Sequence, residues 1–95
     1  MKEKILELLK INHICFKVGL GDFYDYLIYS LRDKIIINCK TYHDKDLKGY
    51  YSLQIKVIFE NCDKYEYNSF SCDEERCILF FERIMNHLGV FPEYD

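Results

Sequence analysis

The sequence predicts a single α+β domain spanning residues 1–95. It is a two-layer sandwich in which an antiparallel sheet of about four to five strands is flanked by N- and C-terminal helices, in the order α-β-β-β-β-α. Three observations carry this prediction. Helical spacing of apolar residues is confined to the two ends of the chain, period-two alternation fills the middle, and the connections are short enough to join antiparallel neighbours. A sheet with alternating strands must cover its apolar face, and the terminal helices are the only elements available to do so. At 95 residues, with 49% hydrophobic and 17% aromatic content and one proline, the chain has room for one core and none of the traits of a disordered or collagenous sequence.

The first dozen residues read as a helix, with Ile5, Leu8, Leu9 and Asn12 on one side, Leu6 widening the stripe, and good helix formers filling the rest. From His13 to Val18 the pattern alternates, Ile14, Phe16 and Val18 facing one way, which predicts a short strand. Gly19 and Gly21 mark the turn after it, where glycine reaches positive φ at no steric cost. Phe23 to Leu31 fits two templates: Phe23, Tyr26, Leu27, Ser30 and Leu31 fall at helical spacing behind Asp22, while Tyr24, Tyr26, Ile28 and Tyr29 have strand chemistry. Strand is preferred. Arg32 to Lys34 turn the chain into a strand over Ile35 to Tyr42, with Ile35, Ile37 and Cys39 inward.

His43 to Gly49 is a charged loop. The clearest strand follows, with Tyr51, Leu53, Ile55, Val57 and Phe59 alternating against a mostly polar set. Asn61 to Lys64 turn it into a tyrosine-rich strand ending at Phe70, so the two form a hairpin. Ser71, with Glu74 three residues on, makes a capping box and predicts the start of the last helix. Cys77, Ile78, Phe81, Ile84, Met85 and Leu88 give it one apolar face, Gly89 stops it, and Phe91 and Pro92 begin a short tail.

Charge is uneven along the chain. Lys and Arg number seven against five Asp and Glu over residues 1–40, three against two over 41–59, and three against nine over 60–95, within a net charge of −3. The acidic last third argues against wrapping a phosphate backbone and for a partner with a basic surface. No apolar run is long enough to span a membrane. Five cysteines with no CxxC pair, and an N-terminal stretch broken by Glu3, Glu7 and Lys10, point to a reducing cytoplasm in which thiols serve as small buried residues. Alanine and tryptophan are absent while Ile, Lys, Tyr, Asn and Asp abound. Those abundant types have A/T-rich codons, so the bias points to an AT-rich bacterial genome or a mobile element, not to a function.

Motifs that carry chemistry are missing. His13 with Cys15, or Cys39 with His43, pairs a thiol with a base, but proximity along a strand supplies neither the hydrogen bond nor the orienting third group. Asp44 to Gly49 imitates the start of a calcium loop and fails where Lys48 and Ile55 stand in place of oxygen ligands. Gly19-Leu20-Gly21 is too short for a dinucleotide fingerprint. No cofactor, metal or catalytic residue is expected. Tyrosine remains, nine in number. A sheet face bearing Tyr50, Ile58, Tyr65 and Tyr67, flanked by the acids Glu60, Glu66, Asp73 and Glu74, is the expected partner-binding surface.

The functional expectation is a small, non-enzymatic, cytoplasmic binding module, an inhibitor that occludes a basic surface of a nucleic-acid-handling protein. At the level of class this is analogous to toxin-immunity proteins and phage-borne anti-defence inhibitors. Direct contact with nucleic acid or membrane is not expected, and a free edge strand makes a homodimer a further expectation. The first alternative is a small enzyme using Asp22, Asp25, Cys15 or Cys39 in a pocket. The second is a nucleic-acid binder using Lys2, Lys4, Lys10 and Lys17.

Overall fold

Antiparallel pairing between chain neighbours organises the whole middle of the molecule. In the computed structural model, which describes residues 1–20, 23–29, 33–42, 45–46 and 48–92, helix α1 (Lys2–Ile11) leads into strands β1 (Phe16–Val18), β2 (Tyr26–Tyr29), β3 (Asp33–Thr41), β4 (Tyr51–Phe59) and β5 (Lys64–Ser71), and helix α2 (Glu74–His87) closes the chain. The five strands lie in the sheet in sequence order, β1-β2-β3-β4-β5. This is the α+β sandwich that the periodicity predicts, and Tyr26 to Tyr29 takes the strand alternative.

Register decides which side chains meet the helices. Phe16, Ile28, Ile35 and Val57 form one row across the sheet, with Tyr65 at its end. Tyr26, Ile37, Ile55 and Tyr67 form the next. Against these rows α1 lays Ile5 and Leu9, and α2 lays Ile78, Phe81 and Met85, making one hydrophobic core. Each large apolar side chain that is fully buried there contributes about 1.5–3 kcal/mol of transfer free energy.

Four local readings are corrected. His13 has φ 57, so the chain turns there and β1 begins only at Phe16. Gly19 is required for space and not for positive φ: a Cβ on it would lie 1.8 Å from the carbonyl oxygen of Tyr24. Gly21, Asp22 and Arg32 lie outside the described residues, as do His43, Asp44 and Leu47 of the charged loop. The N-cap of α2 is Asp73, not Ser71, because Ser71 is still paired with Tyr51 in the sheet. Asp73 accepts from the N–H of Glu75, and Ser71 Oγ accepts from the N–H of Asp73 at 3.0 Å, one turn earlier.

At the other end of α2, Gly89 (φ 73) donates to Asn86 O and Val90 to Met85 O, a Schellman closure. That closure turns Phe91 back into the core, edge-on to Phe81 with centroids 5.6 Å apart. The expected tail is therefore a packed end. No helix among the described residues is long and apolar enough to cross a membrane.

Candidate functional site: the uncovered face of the sheet

Both helices lie on one side of the sheet, so the residues alternating with the core rows form an opposite face that no described helix covers. Its rows follow from the register. Lys17, Leu27, Ile36, Lys56 and Glu66 cross all five strands, with Leu27 itself buried, and Tyr29, Lys34, Ile58 and Lys64 run beside them. Asn38, Gln54 and Asn68 make an amide row on the other side of Lys56, and Lys40, Ser52 and Phe70 complete the face.

Rings stand at both ends of it. Tyr29, 52% exposed, has Lys17 Nζ 5.3 Å and Lys34 Nζ 5.6 Å from its ring centroid. At the far corner Phe70, 54% exposed, is stacked on Tyr50 at 5.0 Å and meets Tyr42 edge-on at 5.6 Å, while Lys40 Nζ lies 4.6 Å from the Tyr42 ring. From strand and residue spacing the two ring groups are separated by roughly 25 Å. Lys17, Lys34, Lys40, Lys56 and Lys64 form no ion pair with a carboxylate among the described residues. Among the described residues Glu66, opposite Lys56 in register, accepts from Gln54 Nε2 at 2.6 Å and keeps its negative charge on this side, while Asp25 at the edge pairs with Lys2 at 2.9 Å. The face is locally basic in a chain whose net charge is −3.

Only part of the expected partner-binding set is brought together here. Tyr50, Ile58 and Glu66 belong to the uncovered side. Tyr65 and Tyr67 do not, because their register with Val57 and Ile55 puts them on the helix side; Tyr67 packs against the core and Tyr65 lies edge-on to Phe59. Glu60 stands in the turn after β4, whereas Asp73 and Glu74 follow β5 at the opposite end of the sheet. Glu60 therefore shares no surface with Asp73 and Glu74. Glu74 is further engaged by Lys4 at 2.8 Å, whose hydrogen bond holds its carboxyl below the ordinary range.

The residues of the enzyme alternative converge in part. Asp25 Oδ2 accepts the N–H of Cys39 at 2.6 Å and Oδ1 meets Lys2, while Cys15 is exposed ahead of β1. Burial, reinforced by the charge of Asp25, pushes the Cys39 thiol up to about 12. It is therefore protonated at neutral pH and a poor nucleophile. Among the described residues no three His, Cys, Asp or Glu side chains are grouped to hold a metal ion. The lysines named for nucleic-acid contact divide: Lys2, Lys4 and Lys10 are on α1, and only Lys17 is on the uncovered face.

Sequence reasoning missed Lys34, Lys40, Lys56, Lys64, Tyr29 and Phe70 as one surface. The signal was present as polar positions alternating with core positions, but joining them required the register. Comparison of the chain with protein-family models, with curated proteins and with solved structures returns no match.

Proposed function

We propose that the chain is a small binding module, without chemistry of its own, that acts by occluding a macromolecular partner with the uncovered face of its sheet. One observation supports this reading: among the described residues a five-stranded sheet is covered by helices on one side only, and its other side bears exposed rings and lysines that form no ion pair. Exposed aromatic area gathered on a flat surface is the usual anchor of macromolecular recognition. Of the acids proposed for a basic partner, Glu60 and the pair Asp73 and Glu74 stand at opposite ends of the sheet, and Glu74 is paired with Lys4, so they lend less support to a basic partner than the acidic count of the sequence does.

Lysine acetylation footprinting of the full chain in extract of its native cell tests the reading. Lys34 and Lys56 are expected to be protected relative to the same protein in buffer, while Lys10 on α1 is modified equally in both. Equal modification of all three in extract and buffer would refute it.

A further inference from the structure

From the charge and ring pattern of the uncovered face, and resting on the reading of that face as the working surface, we infer that its occupant is a single strand of nucleic acid. Three features of the face select this ligand. The first is charge: Lys17, Lys34, Lys40, Lys56 and Lys64 are spread over four of the five strands, and against them the described residues of the face set Glu66, with Asp25 at its edge already paired with Lys2. Such a surface complements a polyanion. It also disfavours a second copy of the chain, because a two-fold contact would bring lysines against lysines.

The second feature is the kind of cation. Protein interfaces are depleted in lysine and enriched in arginine, whereas lysine as a mobile point charge suits phosphates along a backbone. Every positive charge described on this face is a lysine.

The third feature is the pairing of rings with amides. Tyr29 and Phe70 are each about half exposed, at opposite corners, and Asn38, Gln54 and Asn68 form a registered row between the Phe70 corner and the central lysines. Bases of a single strand stack on exposed rings whatever their sequence, and side-chain amides offer both donor and acceptor to base edges. A duplex keeps its bases stacked on each other and so gains only the lysine contacts. The separation of the two ring groups admits a segment of several nucleotides, within the range that single-strand binding surfaces cover.

Fluorescence anisotropy of the full chain with labelled oligo(dT) and oligo(U) of fifteen nucleotides tests the inference, with a duplex of equal length alongside. For four or five lysines each meeting a phosphate, affinity for the single strands is expected to fall roughly 50- to 130-fold between 50 and 200 mM salt. The double variant Lys34→Gln/Lys56→Gln is expected to flatten the slope of log affinity against log salt by about 1.4. Phe70→Ala is expected to weaken binding about tenfold. Lys10→Gln on α1 should leave binding unchanged, and the duplex should bind at least tenfold more weakly than the single strands.

Four results would overturn the inference. One is absence of binding to both oligonucleotides at 50 mM salt by a folded protein. Another is sensitivity to Lys10→Gln without sensitivity to the sheet double variant. The third is equal affinity for duplex and single strand with no effect of Phe70→Ala, and the fourth is competition by polyglutamate as potent as by oligonucleotide, which would give the face to an acidic protein. If the oligonucleotides fail while footprint protection at Lys34 and Lys56 persists in nuclease-treated extract, the inference falls and the binding-module reading stands. Loss of protection in untreated extract removes both.

Discussion

Replacing Asp25 by alanine tests whether a side chain stands in for a missing stretch of strand. β3 runs to Thr41, past Ile37 where its pairing with β2 ends, so the N–H of Cys39 faces a gap that β2 does not fill. Asp25 Oδ2 accepts that N–H at 2.6 Å, and Oδ1 pairs with Lys2 at 2.9 Å, tying α1 to the same point. A hydrogen bond to a charged partner contributes about 1.5–3 kcal/mol. The ion pair adds about 0–1 kcal/mol, since the Lys2 side chain is 59% exposed and screened by water. Asp25→Ala should therefore cost about 2–3 kcal/mol, which for a domain of this size lowers the melting temperature by roughly 10–20 °C. Asp25→Asn keeps an oxygen for the N–H and should cost about 1 kcal/mol, and Lys2→Met less than about 1 kcal/mol. Thermal and urea unfolding followed by far-ultraviolet circular dichroism at neutral pH measure all three. An Asp25→Ala protein that melts with the parent would refute the reasoning, and so would a Lys2→Met protein as destabilised as Asp25→Ala, because the ion pair and not the hydrogen bond would then dominate.

Gly19→Ala puts a Cβ against the Tyr24 carbonyl and should cost about 1–3 kcal/mol through displacement of the β1–β2 connection. Faster hydrogen exchange at the Gly19 N–H, which donates to Asp25 O at 2.8 Å, reports it, and unchanged protection would count against the clash. The Glu74 carboxyl is depressed by its hydrogen bond to Lys4. Its contribution to stability is therefore present above the ordinary value of 4.5 and is lost as pH falls through the lower folded value. The gap between the urea midpoints of the parent and Glu74→Gln should close below that range, and a gap constant down to pH 2 would contradict it. Cys39, pushed up to about 12 by burial, should resist a thiol reagent at pH 8 until the protein unfolds, while the exposed Cys15, Cys62 and Cys72 react first. Mass spectrometry of the partly labelled protein orders them, and early labelling of Cys39 would overturn the assignment.

Much of the fold was legible because its signals are local. Alternation over Tyr51 to Phe59 and the apolar face from Cys77 to Met85 each reflect burial against one layer, and burial repeats at the period of the element itself. What failed to show was relational. Tyr65 and Tyr67 alternate as clearly as Ile55 and Val57, yet their face depends on the β4–β5 register, and a shift of one residue would have turned both outward. Ser71 carries a capping pattern that the fold does not use, because whether it opens a helix or ends a strand depended on Tyr51 across the ladder. Phe91 follows a helix-stopping glycine, and only the closure over Met85 directs it inward. The candidate surface suffered most, because it is assembled from single positions on five strands and no window of the sequence contains it.

Net charge misled for a related reason: it is a sum, and binding responds to a field. At 0.15 M salt the field of an exposed charge decays over about 8 Å, while the smallest dimension of the protein is 22 Å. The carboxylates of α2 lie on the far side of the sheet from Lys34 and Lys56, so at that salt a ligand on the uncovered face meets the lysines, offset locally by Glu66 but little by the acids of the helix. This has a consequence that a uniformly basic protein would not share. Below about 0.02 M salt the Debye length passes 20 Å, the far carboxylates come into range, and the net charge of −3 begins to oppose an anionic strand. The plot of log affinity against log salt for oligo(dT) should rise steeply as salt is lowered from 0.2 M and then flatten below about 0.02 M. A variant with Glu75→Gln and Glu82→Gln on α2 should restore the rise at low salt and leave affinity at 0.15 M unchanged. If those substitutions strengthen binding equally at both salts, the helix side acts on the ligand directly, and the separation of the two faces by charge is not what governs recognition.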